Sequence, residues 1–91
     1  MKQVHLYISG FVQGVGYRRF VKKNADKLNL KGWTRNLPDR RVEVLAQGNK
    51  DELEELIKIC KKGPFLSEVK DVAVTWEEKN ADFNEFQILF K

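Results

Sequence analysis

The 91 residues predict an α+β fold in which two helices pack on one face of an antiparallel β-sheet. Five segments alternate apolar and polar side chains, as half-buried strands do. Two longer segments repeat apolar residues at the spacing of amphipathic helices. In chain order the elements read βαββαβ with one extra C-terminal strand, which is the plan of a ferredoxin-like sandwich.

The first half of the chain predicts a strand, a helix and a β-hairpin. Val4, Leu6 and Ile8 share one face of the strand, and the apolar stripe of the helix begins at Tyr17. Pro38 suits the hairpin turn because its ring fixes φ at a value that turns use. The hairpin would bring Asn36 close to its turn. The predicted bounds are residues 3–9 for the strand, 16–29 for the helix, and 31–36 and 41–47 for the hairpin strands.

The second half predicts another helix and two strands. Asn49 is the expected N-cap, Glu52 completes a capping arrangement, and Gly63 stops the helix. The apolar stripe of this helix includes Cys60, which we therefore expect to be buried and unreactive. The remaining segments are a strand at 69–77, a polar turn through Asn80, Asp82 and Asn84, and a last strand that begins at Phe86.

Composition predicts a single domain over residues 1–91, with room for one modest core. A net charge of +4 and a pI of about 9.3 favour anionic substrates. Basic residues are interspersed with acidic ones, so the sequence has no dense basic block of the kind that binds nucleic acid. The sequence has one cysteine and no membrane-length apolar run. We expect a cytoplasmic monomer that binds neither membrane nor nucleic acid.

Three glycines mark the segment from Gly10 to Arg19, between the first strand and the first helix. Glycines let backbone amides approach a ligand closely, and a helix N-terminus adds unpaired N–H groups and a partial positive charge. The guanidinium of Arg18 could donate two parallel hydrogen bonds to a phosphate. These features favour an anion-binding loop, although a tight turn with two solvated arginines fits the spacing equally well. The P-loop and dinucleotide fingerprints are both absent.

The residues of this segment also resemble a family signature. Residues 10–18, Gly-Phe-Val-Gln-Gly-Val-Gly-Tyr-Arg, match the acylphosphatase pattern G-x-V-Q-G-V-x-[FY]-R at every specified position. Residues 32–36, Gly-Trp-Thr-Arg-Asn, resemble the second signature of that family, with Thr34 as the one loose position. The resemblance extends over nearly the whole chain. It departs at the hairpin turn, where many family members have Asp-Gly and this chain has Asp39-Arg40.

The resemblance implies an enzyme that hydrolyses a small-molecule acyl phosphate to a carboxylate and phosphate, with no metal or other cofactor. Arg18 would clamp the phosphate oxygens and Asn36 would hold the attacking water, so these two are the expected catalytic residues. Whether Arg19 also contacts substrate stays open. Backbone N–H groups would cradle the phosphate, and the implied substrate-binding residues are Gln13, Gly14, Val15, Gly16 and Tyr17.

The rest of the chain offers few other catalytic groups. His5 is the only histidine and is expected to be a surface or second-layer residue, and no set of His, Cys and carboxylates has metal-ligand spacing. Hydrolysis of an acyl phosphate suits such a chain, because the carboxylate leaving group needs no general acid. Two alternatives remain. One is a non-catalytic anion-sensing module, and the other is an RNA-binding ferredoxin-like module, although the third strand lacks the aromatic RNP1 pattern.

Overall fold

The computed structural model describes residues 2–79 and 81–90, so the predicted turn residue Asn80 lies outside the described part. The elements follow the predicted order. The helices are α1 (Tyr17–Lys27) and α2 (Lys50–Lys62), and the strands are β1 (Lys2–Phe11), β2 (Lys31–Asn36), β3 (Val42–Gly48), β4 (Glu68–Glu78) and β5 (Phe86–Leu89). Neither of these helices is long and apolar enough to cross a membrane.

The strands form one sheet in the order β4-β1-β3-β2-β5. β1 pairs antiparallel with β3 and β4, and β2 pairs antiparallel with β3, which confirms the predicted ferredoxin-like fold. The extra strand differs from the prediction, because β5 runs parallel to β2 with Thr34 opposite Ile88. β4 and β5 occupy opposite edges of the sheet, so the chain crosses the sheet before β5 begins and enters it in the direction of β2.

The observed helix ends differ from the predicted ones for local backbone reasons. Helix α1 begins at Tyr17 because Gly16 has a left-handed φ of 76°, which no α-helical residue adopts. It ends at Lys27, two residues earlier than predicted, and Asn29 is also left-handed with a φ of 58°. Asn49 occupies the N-cap of α2 as predicted, but its side chain makes no capping hydrogen bond. The predicted capping arrangement is therefore wrong in that detail.

The core lies between the sheet and the two helices. The Tyr17 hydroxyl donates to the carbonyl oxygen of Cys60 at 2.6 Å, which ties α1 to α2. Burial raises the pKa of the Cys60 thiol to about 12, so the thiol is unreactive, as the sequence predicts. The buried apolar side chains are Val4, Leu6, Ile8, Val12, Tyr17, Val21, Ala25, Leu30, Val42, Val44, Ala46, Leu53, Leu56, Cys60 and Phe86.

The face of the sheet opposite the helices has a buried carboxylate at its centre. Glu43 is only 4% exposed, accepts from Arg35 Nε at 2.6 Å and contacts His5 Nε2 at 2.5 Å. Burial acts to raise the pKa of Glu43, but hydrogen bonds from Arg35 and His5 outweigh it and hold that pKa below its usual range. His5 therefore lies in the second layer that the sequence predicts for it and has a structural partner there.

Candidate active site

A loop of residues 12–16 joins β1 to α1 at one end of the sheet. Gly14 and Gly16 have φ values of 77° and 76°, in the left-handed region that disfavours residues with a Cβ. A Cβ at either position would meet open space, so the need for glycine here is conformational. When residues with a left-handed backbone conformation alternate with right-handed ones, successive N–H groups point toward one side, as in backbone nests that bind anions. The backbone thus suits the anion-binding loop that the sequence predicts.

A cavity of about 160 Å³ opens at this loop. It is built from the loop, the first turn of α1, the end of β2 and the segment that ends β5. Its lining residues are Val12, Gly14, Gly16, Tyr17, Arg18, Arg19, Asn36, Ile88 and Phe90. Most of the predicted site residues therefore meet at one cavity, including both residues with a predicted catalytic role.

Arg18 is held in the cavity by the end of β5. Its Nη1 donates to the carbonyl oxygen of Leu89 at 3.1 Å, and its guanidinium carbon lies 4.9 Å from the centre of the Phe90 ring. These two contacts restrict the side chain, which would otherwise be free to rotate at a helix terminus. A guanidinium has several N–H donors, so donors that Leu89 does not use are available to an anion in the cavity.

Asn36 is the last residue of β2 and pairs with Val42 across the hairpin, next to the turn as predicted. The residue lines the cavity together with the glycines of the loop. A side-chain amide carries an acceptor oxygen and two N–H donors, so it can hold a water molecule in a fixed orientation. It has no useful basicity, so it cannot remove a proton from that water.

Gln13 and Val15 do not line the cavity, although the sequence named both as substrate-binding residues. The Gln13 side chain turns toward the hairpin, where its Nε2 donates to the carbonyl oxygens of Leu37 and Arg41, each at 2.9 Å. Val15 packs against the core. The side chain of Gln13 therefore links the loop to the turn that follows Asn36. A role for the backbone N–H groups of Gln13 and Val15 stays a prediction.

Tyr17 contributes to the cavity from the first residue of α1, but its ring points into the core. Tyr17 is 2% exposed, and its hydroxyl donates to the carbonyl oxygen of Cys60. Burial raises the pKa of Tyr17 far above its usual range, so the phenol stays neutral. A hydroxyl that is buried and already hydrogen-bonded cannot act on substrate. The residue anchors the start of α1 beneath the loop.

Sequence reasoning missed the apolar wall of the cavity. Ile88 and Phe90 line it, and Phe90 is 81% exposed despite the contact of its ring with Arg18. This wall depends on the parallel pairing of β5 with β2, which no sequence pattern reports: Arg35 lies opposite Leu89, so the next position along brings Phe90 to the level of Asn36. Arg19, which the sequence left open, also lines the cavity.

The charged side chains that line the cavity are both positive. Arg18 and Arg19 both lie in the first turn of α1, and that turn contains no acidic residue. Cations at a helix N-terminus oppose the helix dipole, and each costs about 0.3–1 kcal/mol when unpaired. A bound anion would reverse the sign of this interaction. Among residues 2–79 and 81–90, no group of three His, Cys, Asp or Glu side chains is arranged to hold a metal ion.

Comparison with known proteins agrees with the signatures. The acylphosphatase family model matches residues 4–88. The acylphosphatase of Chlorobaculum tepidum is 48% identical over 88 residues, which cover 97% of this chain and 96% of that protein. The crystal structure of acylphosphatase from Bacillus subtilis matches with a TM-score of 0.95 at 39% identity, covering 98% of this chain and 99% of that one. An acylphosphatase structure from Coxiella burnetii matches with a TM-score of 0.87 at 36% identity, covering 97% and 92%. The chain therefore belongs to the acylphosphatase family, whose members are enzymes that act on acyl phosphates.

Proposed function

We propose that the cavity hydrolyses acyl phosphates by direct attack of water on phosphorus. The observation that carries this proposal is that Arg18, Asn36 and the glycine loop line one cavity. The oxygen of water forms a bond to phosphorus, and the bond between phosphorus and the carboxylate oxygen breaks. The carboxylate leaves with the bonding electron pair. The products are a carboxylate and inorganic phosphate, with no covalent intermediate on the protein.

The phosphoryl group would be bound at the N-terminus of α1. Backbone N–H groups of residues 13–18 would surround its oxygens, and the helix dipole adds partial positive charge at this point. The free donors of Arg18 would hold the same oxygens in a planar, two-pronged geometry. These groups neutralise charge on the equatorial oxygens as the transition state develops, which is the main demand of phosphoryl transfer.

Asn36 would orient the attacking water. Its amide oxygen accepts a hydrogen bond from the water and directs a water lone pair toward phosphorus. The amide cannot take the proton, so the proton passes to a phosphate oxygen of the substrate. The carboxylate leaving group is a weak base and departs without protonation. The absence of a general acid or base from the lining residues is therefore compatible with the chemistry.

We further propose that the enzyme works as a cytoplasmic monomer on small molecules. The single cysteine is buried and unpaired, which suits a reducing compartment. The buried polar side chains of the described part of the chain all have hydrogen-bond partners. The open face of the sheet therefore needs no second protein to satisfy its buried groups.

The test is hydrolysis of benzoyl phosphate in the presence of EDTA, with the Arg18→Ala variant as its matched control. We expect hydrolysis by the wild-type protein and loss of both hydrolysis and inorganic phosphate binding in the variant. A wild-type protein that binds inorganic phosphate but does not hydrolyse benzoyl phosphate would instead be an anion-sensing module. Equal hydrolysis by the variant would exclude Arg18 from the mechanism.

A further inference from the structure

A second depression adjoins the phosphate loop. This side groove has a volume of about 360 Å³ and is lined by Gly10, Phe11, Val12, Gln13, Gly14 and Arg40. Val12 and Gly14 line both the side groove and the cavity, so the two depressions share one rim. A Cβ at Gly14 would meet nothing within 4 Å, so the space beside this shared residue is open. A substrate chain can therefore pass from the cavity into the side groove above Gly14.

Arg40 holds an unfavourable backbone conformation beside this groove. Its φ is 78°, in the left-handed region that favours glycine and disfavours residues with a Cβ. A strained non-glycine residue next to a functional loop suggests that its side chain has a use. Its neighbour Arg41 has an ordinary φ and pairs with Asp39 at 2.8 Å.

The charge of Arg40 is available for a ligand. Within residues 2–79 and 81–90, Arg40 forms no ion pair, whereas Arg35 is paired with Glu43 and Arg41 with Asp39. Its side chain is exposed and lines the groove. An exposed arginine held at the edge of a substrate site is suited to bind a carboxylate in a bidentate manner.

Phe11 provides the apolar part of the side groove. It ends β1 opposite Glu68 on β4 and is 62% exposed. Aromatic side chains that line a groove can pack against the apolar part of a ligand. An apolar surface at Phe11 and a cation at Arg40 together match a hydrocarbon chain that ends in an anionic group.

We propose that the side groove is an acyl subsite for substrates that carry a second anionic group, with Arg40 binding that group and Phe11 contacting the intervening carbon atoms. This inference rests on the proposed hydrolysis of acyl phosphates at the adjoining cavity. It assigns the specificity of that reaction to a residue outside the phosphate loop. The expected substrate class is an acyl phosphate derived from a dicarboxylic acid.

The test compares benzoyl phosphate with 4-carboxybenzoyl phosphate in wild type, Arg40→Gly and Arg40→Gln. We expect the wild type to prefer the carboxylated substrate by about two- to fivefold in kcat/KM, the range of one exposed ion pair. Both variants should lose this preference through KM and keep their activity on benzoyl phosphate. Arg40→Gly should fold at least as well as the wild type, because glycine removes the strain of the left-handed position. Lys58→Gln, which removes an exposed charge from α2, should keep the preference.

The outcomes separate the subsite from the hydrolysis on which it rests. A wild type that hydrolyses both substrates without preference overturns the subsite alone. Retention of the preference in Arg40→Gln overturns the role of the Arg40 charge. Loss of the preference in Lys58→Gln shows a general charge effect and also overturns it. A wild type that hydrolyses neither substrate overturns the proposed function and the subsite together.

Discussion

Gln13 connects the phosphate loop to the turn that follows Asn36, and we expect Gln13→Ala to weaken both stability and catalysis. Its Nε2 donates to the carbonyl oxygens of Leu37 and Arg41, each at 2.9 Å. Both oxygens also accept backbone hydrogen bonds, Leu37 from Arg40 N and Arg41 from Leu37 N. Neither carbonyl is therefore left without a partner when the Gln13 amide is removed, which limits the penalty.

Two hydrogen bonds at about 0.5–1 kcal/mol each give a loss of about 1–2 kcal/mol in the free energy of unfolding. For a domain of this size that corresponds to a fall of roughly 5–15 °C in Tm. Catalysis should suffer more than phosphate binding, because the loop still folds around the phosphate while its position relative to Asn36 is no longer fixed. We expect kcat to fall about 10- to 100-fold, as for other small displacements of reacting groups.

Thermal unfolding and steady-state hydrolysis of benzoyl phosphate measure the two effects, and Gln87→Ala is the matched control. Gln87 is exposed on β5, and its Nε2 bonds only to the exposed side chain of Glu85. Its loss should change the free energy of unfolding by less than about 0.5 kcal/mol. An unchanged Tm in Gln13→Ala would refute the anchoring contacts. A lowered Tm with unchanged kcat would refute their influence on the site.

Asn36→Ala should lower kcat about 100-fold while inorganic phosphate still binds, since only the water loses its partner; equal loss of binding and turnover would contradict that role. Phe90→Ala removes a contact with Arg18 that is worth about 0.5–1 kcal/mol at an exposed site, so kcat/KM should fall about two- to fivefold. Phe90→Tyr keeps an aromatic ring over the guanidinium and should therefore retain the wild-type kcat/KM. Glu43→Gln should reduce the free energy of unfolding by about 1.5–3 kcal/mol at pH 7 with little change in kcat/KM. The folded-state pKa of Glu43 lies below its value in the unfolded chain, so its stabilisation is present above about pH 4–5 and is lost as pH falls through the folded pKa. Urea midpoints of the wild type should therefore fall more steeply than those of Glu43→Gln over that range, and parallel curves would contradict the argument.

Local patterns predicted the elements well, because each pattern reflects which side of an element is buried. Val4, Leu6 and Ile8 alternate in the sequence and are all fully buried on one face of β1. The start of α1 was predicted one residue early, since periodicity does not report that Gly16 is left-handed. The site residues Arg18 and Asn36 came from the family signatures, because nothing in their spacing brings two separate segments to one cavity.

Contacts between distant elements were not predictable in the same way. The sequence gives no sign that β5 crosses to the far edge and pairs parallel with β2, so the contact between Phe90 and Arg18 was missed. The burial of Glu43 was missed for a related reason. Alternation assigns Glu43 to the face opposite the helices, but its burial depends on Arg35 from β2 and His5 from β1. Such neighbours are known only once strand order and register are known.

The arginines of this chain divide into two groups by whether they form an ion pair, and the division supports an anionic substrate. Arg35 and Arg41 are paired with carboxylates of the chain. The three arginines that line the cavity and the side groove, Arg18, Arg19 and Arg40, form no ion pair within residues 2–79 and 81–90. Arg18 and Arg19 lie in the first turn of α1, where unpaired positive charge costs stability unless an anion binds, so an anionic substrate gives this arrangement its function.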